Sequence, residues 1–508
     1  MTVPGSRHTA DRPATTATAA SGPGAAPAAT QRPVPSAAHR RITLASSVGG
    51  AAIVALDGTV LTVAQPTLRH DLDASLAQVQ WTSTAYLIAV AGLLVFSGRL
   101  GDRYGHQRVF ALGVLGFGAA SAGIGLAPGI GWVIALRVAQ GVFGALLQPA
   151  TLGMLRAAYP PELLGMPIAL RTSAIGLSAA AGPLLGGALV AHFGWRAVFF
   201  LNAPPALAMA AAALTVRAPA DAETGPAAPV GPDARVGLDV PGACLLTVAL
   251  VALVHTLVAV PDTGWTTATL AGAAVVAVSG AAFVRRERRA ASPLVPSDIL
   301  GSATVGAALG ILVAASAAML GTLFVVSFFL QTTLGLGPLE TGLRALPGGV
   351  LMVLGAPVAA VLLRRLGPRR TTMAGTIVLA LGVLLLARLH RTSTALPVAA
   401  GLLLLGAGFA TVMVTATTVV VRQASTASAG VAGGLQQTAM NVGPTLGIAV
   451  AATLMTVTPG AAVGPPLTAL AVFAATGTLL ALLLPGHKDI TNTARRIPDD
   501  ASPARTGR

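Results

Sequence analysis

The stretch LDGTVLTVAQP at residues 56–66 sets a single carboxylate within a long apolar run. The run from Ile42 to Ala64 has the roughly 20 residues that a helix needs to cross a bilayer, and Asp57 is its only ionisable group. A carboxylate near the bilayer centre costs about 2.5–3.5 kcal/mol on insertion scales, so such groups usually face a protein interior or a water-filled cavity. The stretch therefore predicts a membrane helix with a proton or cation site at Asp57. The alternative is a structural Asp that is bonded to a neighbouring helix.

The composition separates this chain from soluble proteins. Of its 508 residues, 54% are hydrophobic and only 10% are charged, whereas a soluble globular chain carries about 25% charged residues. The formal net charge of +15 would suggest a nucleic-acid partner for a soluble protein. Here the arginines lie mainly in short loops between apolar runs, which is the pattern that orients membrane proteins. We therefore expect contact with membrane lipids and no binding of nucleic acid.

The apolar runs predict an all-α membrane protein with fourteen transmembrane helices. The candidate spans are residues 42–64, 80–98, 109–127, 132–154, 168–190, 197–216, 239–260, 266–284, 304–330, 342–363, 371–388, 396–420, 430–455 and 466–484.

The distribution of basic residues predicts the orientation of these spans. If both termini are cytoplasmic, most of the 32 Lys and Arg residues fall in cytoplasmic tails and loops. Arg137 lies inside a span, and the opposite side holds only Arg69, Arg196, Arg344, Arg388 and Arg391. This asymmetry favours cytoplasmic termini. The richness in Ala, Gly and Arg, with Lys488 as the only lysine, indicates a GC-rich bacterial genome, so we expect a multi-pass protein of a bacterial plasma membrane.

Two landmarks reveal an internal repeat. The loop GDRYGHQR at residues 101–108 matches LRRLGPRR at 363–370, and GPLLG at 182–186 matches GPTLG at 443–447. Both pairs are separated by nearly the same number of residues, which implies two homologous six-span halves. Parallel repeats of this kind form alternating-access carriers, whose substrate site lies between the halves near the midplane.

The repeat and the polar segments together divide the chain. The predicted parts are a disordered cytoplasmic tail (1–41), an N-terminal six-helix half (42–216), a cytoplasmic linker (217–238), an inserted helix pair (239–284), a cytoplasmic loop (285–303), a C-terminal six-helix half (304–484) and a cytoplasmic tail (485–508).

Six motifs, in order and at the right spans, resemble the fourteen-span drug:proton antiporters of the major facilitator superfamily. They are the stretch at 56–66, GRLGDRYG at 98–105, RVAQG at 137–141, GPLLGG at 182–187, Trp195-Arg196 with LNAP at 201–204, and Leu330-Gln331 with GPL at 337–339. The resemblance implies a major facilitator fold and proton-coupled efflux of a hydrophobic or amphiphilic drug or antibiotic. It implies no cofactor other than the proton gradient; we expect a monomer and no metal site.

The loop after the second span is predicted to join the two halves. Its glycines permit a tight turn, and Asp102 can accept hydrogen bonds at the N-terminus of a facing helix, where the helix dipole favours an anion. The resemblance implies a conformational latch, whereas the alternative is a basic loop that only sets topology. The latch residues are Gly98, Asp102, Arg103, Gly105 and Arg108.

The fifth span carries the motif that the resemblance implies for antiport. Gly182, Pro183, Gly186 and Gly187 remove side chains and one backbone donor, which predicts a bendable, closely packing helix. The resemblance adds that this face seals the path for proton leakage. The alternative is a plain packing kink.

One polar face of the fourth span is predicted to line a central cavity. Arg137, Gln140, Gly144 and Gln148 share one side of a helix. Arg137 lies about 9 Å into its span at 1.5 Å per residue, so it can act inside the protein or snorkel outward. The resemblance implies a part in proton relay, with Asp57 as its electrostatic partner.

Further candidate cavity groups lie in the second half. They are Phe328 and Gln331 at the end of the ninth span, and Gln437 and Asn441 at helical spacing in the thirteenth.

The sequence favours efflux over two other classes of function. A proton-coupled symporter that imports a small metabolite uses the same fold, but the Gly-Pro motif of the fifth span and the fourteen-span layout argue against it. A membrane enzyme or receptor would need a nucleophile–base pair, a metal cluster or a folded extramembrane domain, and the sequence predicts none of these.

Overall fold

The computed structural model describes residues 36–215, 239–290, 293–296, 299, 301–336, 338–425, 428–457 and 463–486. The predicted linker and most of both predicted tails lie outside these residues. The helices are α1 (Ala37–Asp71), α2 (Leu76–Tyr104), α3 (His106–Gly125), α4 (Ile130–Ala158), α5 (Gly165–Phe193), α6 (Trp195–Phe200), α7 (Ala203–Thr215), α8 (Val240–Thr263), α9 (Thr267–Glu287), α10 (Ala303–Phe328), α11 (Pro338–Leu386), α12 (Ala395–Gln423), α13 (Ala429–Val457) and α14 (Gly464–Ala481).

Helix α11 contains two membrane crossings. Thirteen helices in the described residues are long and apolar enough to span a bilayer, and one of these stretches, Glu340–Leu386, has 47 residues. At 1.5 Å per residue it is about 70 Å long, more than twice the hydrocarbon thickness of about 30 Å. Its backbone breaks at Gly367, which separates the two crossings. By length and composition, the described chain therefore has fourteen stretches that could cross a membrane, the number that the sequence predicts.

A glycine with positive φ connects the second and third crossings of each half. Gly105, between α2 and α3, has φ of 93°, and Gly367 has φ of 78°. Glycine adopts this left-handed region at little cost because it has no Cβ. The connection at 364–370, predicted as a loop, is instead helical on both sides of this one residue. The two matching turns support the internal repeat.

The first and sixth crossings differ from the predicted boundaries. Helix α1 begins at Ala37, inside the predicted tail, because the Ser36 side chain caps it by accepting a hydrogen bond from the His39 N–H (3.2 Å). The crossing predicted at 197–216 is broken into α6 and α7. Pro204 and Pro205 lie in the first turn of α7, and they lack the N–H groups that would continue α6 by bonding to the Phe200 and Leu201 carbonyls.

The two halves meet through α2, α4 and α5 of the first half and α11, α12 and α13 of the second. Helices α1–α7 pack on one another and α10–α14 on one another, while α2 packs on α13 and α5 packs on α11. The predicted inserted pair is α8 and α9, and α8 packs on both α2 and α13. Thr247 of α8 donates a hydrogen bond to the Gly92 carbonyl of α2 (2.6 Å). The inserted pair is thus attached beside the contact between the halves.

Candidate functional site

Asp57 is buried in a network of four polar side chains within the first half. Only 4% of the Asp57 surface and 1% of the Arg137 surface is exposed. Arg137 Nη1 lies 2.7 Å from Asp57 Oδ2. The other carboxylate oxygen, Oδ1, accepts hydrogen bonds from Gln140 (3.1 Å) and Asn202 (2.8 Å). Every oxygen of the buried carboxylate is therefore satisfied, as a buried charge requires.

Arg137 is fixed by contacts on several sides and does not snorkel outward. Its Nε donates to the Thr82 carbonyl (2.9 Å), and its Nη1 also donates to Gln140 Oε1 (2.5 Å). The guanidinium carbon lies 4.2 Å from the centroid of the Tyr86 ring, a cation–π arrangement. Taking a lone charge out of water costs several kcal/mol, so the ion pair with Asp57 stabilises both residues in this interior.

Asn202 reaches Asp57 because the sixth crossing is broken. The residue lies between α6 and α7, where its side chain donates to both Asp57 and Ser121 Oγ (3.1 Å). Ser121 in turn donates to the Phe199 carbonyl (2.9 Å). In the sequence, Asn202 belongs to the LNAP motif at residues 201–204 and was not among the predicted site residues. The sequence signal that could have identified Asn202 is an amide side chain followed by Ala-Pro-Pro inside an apolar span.

The polar face of α4 does not line an open cavity in this structure. A Cβ at Gly141 would lie 2.7 Å from the Tyr86 carbonyl oxygen, and one at Gly144 would lie 3.2 Å from the Tyr86 hydroxyl. Gln140 and Gln148 are 0% and 4% exposed. Gln140, Gly144 and Gln148 are therefore enclosed in this conformation, and their place in a cavity stays a prediction. Small residues on this face allow α2 to approach closely, which closes the space.

The predicted cavity residues of the second half lie apart from this network. Phe328 is 50% exposed, and Gln331 is exposed within the π-helical turn Phe329–Thr333. Gln437 and Asn441 are half-buried, and the Asn441 amide donates to the Gln437 carbonyl of its own helix (2.8 Å). The structure therefore does not bring these four residues together with Asp57.

The glycines of α5 bring this helix against α1 directly after Asp57. A Cβ at Gly182 would overlap Thr59 Oγ1, and one at Gly186 would lie 2.9 Å from Val60 Cγ1. Gly187 has open space beside it, so close packing does not explain the glycine there. Pro183 lies in the helix between these glycines. The motif thus produces a tight contact between α1 and α5 next to the Asp57 network.

A second group of residues joins α2 of the first half to the start of α13 in the second. We call this contact the α2–α13 seam; it is formed by Gly98 and Asp102 of α2, Gly430 and Val431 of α13, and His106 at the start of α3. The Gly430 and Val431 N–H groups donate to Asp102 Oδ1 (2.7 Å) and Oδ2 (3.0 Å). These donors are orphan N–H groups of the helix N-terminus, where the dipole favours an anion.

In the α2–α13 seam the backbones of the two helices are in direct contact. A Cβ at Gly98 would overlap the Gly430 carbonyl oxygen, and a Cβ at Gly430 would overlap the Gly98 carbonyl oxygen. His106 Nε2 lies 3.3 Å from Asp102 Oδ1. The other two predicted latch residues, Arg103 and Arg108, are exposed, and Arg103 lies over the Tyr104 ring (5.3 Å).

Two further arginines bridge the halves on the same side of the molecule. Arg422 of α12 donates to the Pro161 (2.5 Å) and Glu162 (3.1 Å) carbonyls in the first half. Arg156 at the end of α4 donates to the Ala424 carbonyl in the second half (3.3 Å). With the α2–α13 seam, these bonds close this side of the interface between the halves.

Two repeated helical halves with a buried charged network define a membrane transporter, and the comparisons with known proteins agree. A sequence model of the Major Facilitator Superfamily matches residues 48–448. The chain belongs to this family.

Named relatives and a solved structure extend this result. The chain is 41% identical to the tetracenomycin C resistance and export protein of Streptomyces glaucescens over 416 residues, covering 81% of this chain and 75% of that protein. It is 29% identical to the multidrug efflux pump LfrA of Mycolicibacterium smegmatis over 406 residues, covering 80% and 78%. The human organic anion transporter MFSD10 shares the fold, with a TM-score of 0.61, 16% identity, and coverage of 87% of this chain and 99% of that one.

Proposed function

We propose that this protein exports a hydrophobic or amphiphilic drug or antibiotic from the bacterial cytoplasm in exchange for protons, as a fourteen-span drug:proton antiporter. Both termini lie in the cytoplasm in this proposal, and the proton gradient is the only energy source. The relatives named for export of tetracenomycin C and for multidrug efflux support the direction and the class of cargo.

The observation that carries the proton coupling is the ion pair between Asp57 and Arg137 inside the membrane domain. A carboxylate that is neutralised by a cation in one state, and separated from it in another, binds a proton in the second state and releases it in the first. Intramembrane ionisable groups mark such relays in transporters. Coupling follows if substrate binding and the breaking of this pair belong to the same conformational change.

The α2–α13 seam supplies the conformational step in this proposal. Asp102 holds the N-terminus of α13 through two backbone N–H groups, so the seam is closed when these bonds exist and opens when they break. Alternating access requires this side to open to load substrate and to close again before release on the other side. Asp102 therefore acts as the latch of the closed state.

Asp102→Asn is expected to slow export about tenfold and to leave expression intact. An amide keeps one acceptor but turns its NH₂ group toward the second N–H, and it loses the charge that the helix dipole favours. A hydrogen bond contributes about 0.5–1.5 kcal/mol and a charge at a helix terminus about 0.3–1 kcal/mol. Asp71→Asn removes the same charge at an exposed position and is the matched control. The measurement is the initial export rate, which should fall in Asp102→Asn and stay normal in Asp71→Asn. A normal rate in Asp102→Asn would rule out the latch role of Asp102.

Transport in proteoliposomes tests the proposed function. We expect tetracenomycin C to move only when a pH gradient is imposed, with a matching proton flux that a pH-sensitive dye reports. A protonophore should abolish both. Transport of the drug that is unchanged by the protonophore would contradict proton coupling. Proton-driven movement of the drug in the same direction as the proton would identify a symporter instead.

A further inference from the structure

Arg171 in α5 is a buried cation without a partner in the described part of the chain. Only 2% of its surface is exposed, and its Nε has no hydrogen-bond partner. The other two arginines that are more than nine-tenths buried have partners: Arg137 binds Asp57, and Arg99 donates to the Pro293 carbonyl (2.8 Å). Arg171 lies inside the fifth predicted span, residues 168–190, and the structure buries it there.

Arg171 lies on the face of α5 that is turned toward the interface between the halves. Its neighbours one and two turns earlier, Ile168 and Leu164, belong to a buried cluster with Leu152 and Leu155 of α4 and Val421 of α12. One turn later, Ile175 packs against the core of the second half. Residues at these spacings share one side of a helix, so Arg171 is directed between the halves.

The same face continues to the Asp57 region. Ser178 lies two turns beyond Arg171. Its carbonyl accepts a hydrogen bond from Thr59 Oγ1 of α1 (3.5 Å). Along α5, Arg171 therefore lies between the closed apolar cluster and the contact with α1 beside Asp57. The lipid-facing side of α5 is a different stripe, with Met166, Leu170 and Leu177 exposed. A lipid headgroup is thus not in a position to pair with this guanidinium.

We propose that Arg171 binds the anionic group of the transported molecule, such as a carboxylate, a sulfonate or an ionised phenol on an apolar body. A buried unpaired charge is strongly unfavourable, and a guanidinium binds planar oxyanions through two parallel hydrogen bonds. Once the two halves separate, Ile168 and Ile175, which lie one turn away on each side, provide apolar surface for the rest of such a molecule. Arg137 already forms an ion pair with Asp57, so it is not free to bind the anion. In this proposal Asp57 binds the proton, and Arg171 binds the anionic group.

This inference rests on the proposed export function, and a matched pair of fluorescent probes tests it. Anilinonaphthalene sulfonate and N-phenylnaphthylamine share one aromatic skeleton, and only the first carries an anionic group. Binding is measured in phosphatidylcholine nanodiscs, which contain no anionic lipid, after subtraction of empty discs. We expect Arg171→Gln to weaken binding of the sulfonate about 10- to 100-fold, the range for a charged hydrogen bond, and to leave binding of the neutral probe unchanged.

Two variants keep the test informative. Arg171→Lys retains the charge and should keep a substantial part of the sulfonate affinity, whereas Arg364→Gln removes an exposed arginine and should change neither probe. Equal loss of both probes in Arg171→Gln would show a structural role and overturn the proposal. Wild-type protein that binds the neutral probe and not the sulfonate would also overturn it.

The binding assay separates this proposal from the export function. It needs no proton gradient, so an Arg171-dependent sulfonate site in a protein without proton-driven flux would preserve the anion site and refute the antiporter. Proton-driven export of the neutral probe by a protein that does not bind the sulfonate would support the antiporter and refute the anion site.

Discussion

Asp57→Asn is expected to reduce proton-driven export at least a hundredfold while the protein still inserts into the membrane. Asn has nearly the shape of Asp but cannot alternate between a charged and a neutral form. One elementary charge that moves through about 100 mV provides about 2.3 kcal/mol. At about 1.36 kcal/mol per tenfold, this energy supports roughly a fifty-fold gradient of substrate. Loss of the one titrating group removes this driving force completely.

The structure shows that this substitution also has a structural effect, which needs a control. Arg137 would keep its charge with no carboxylate within reach, and removal of one partner from a buried pair costs about 3–5 kcal/mol. Asp57→Asn alone therefore confounds coupling with stability. The double variant Asp57→Asn with Arg137→Gln removes both charges, so we expect it to recover thermal stability and to remain without proton flux.

Proteoliposomes with an internal pH dye provide the measurement. Substrate-dependent proton flux is compared among wild type, Asp57→Asn, the double variant and Asp57→Glu, which keeps a titrating group and should retain partial flux. Undiminished flux in the double variant would show that the Asp57–Arg137 pair is structural. Flux lost equally in Asp57→Glu and Asp57→Asn would show that geometry, rather than the charge change, is what matters at this position.

The main charged pair could be predicted from the sequence because intramembrane charge is rare. Asp57 is alone in its span, Arg137 lies within another, and insertion cost requires each to find a partner in the interior. The structure places them in an ion pair. Their part in proton relay stays a prediction, since it depends on a second conformation.

The remainder of the network depends on tertiary contacts that no local pattern encodes. Asn202 reaches Asp57 only because α6 and α7 are separated, and Ser121 contributes from α3. Polarity at helical spacing predicts a cavity lining for α4 but does not reveal what packs against that face in this conformation. Tyr86 of α2 covers that face.

The second large effect is expected from Gly98→Ala at the α2–α13 seam. A methyl group at this position would overlap the Gly430 carbonyl oxygen, and a backbone atom cannot move aside by a change of rotamer. Overpacking of this kind costs about 1–3 kcal/mol, and it acts on the closed state alone because the two helices separate when the seam opens. A coupling of that size shifts the balance between the two states about 5- to 150-fold.

Distance measurements between spin labels can follow this shift directly. Labels at Tyr104 and Gln423, which are exposed and lie in opposite halves, should report a longer distance in Gly98→Ala than in the otherwise wild-type protein, and export should fall in parallel. Gly306→Ala is the matched control, since it makes the same helical substitution where nothing lies within 4 Å. If Gly98→Ala leaves both the distance distribution and the export rate at the control values, closure of this seam is not a step in transport. If the distance lengthens while export stays normal, the seam closes in this protein without limiting the cycle.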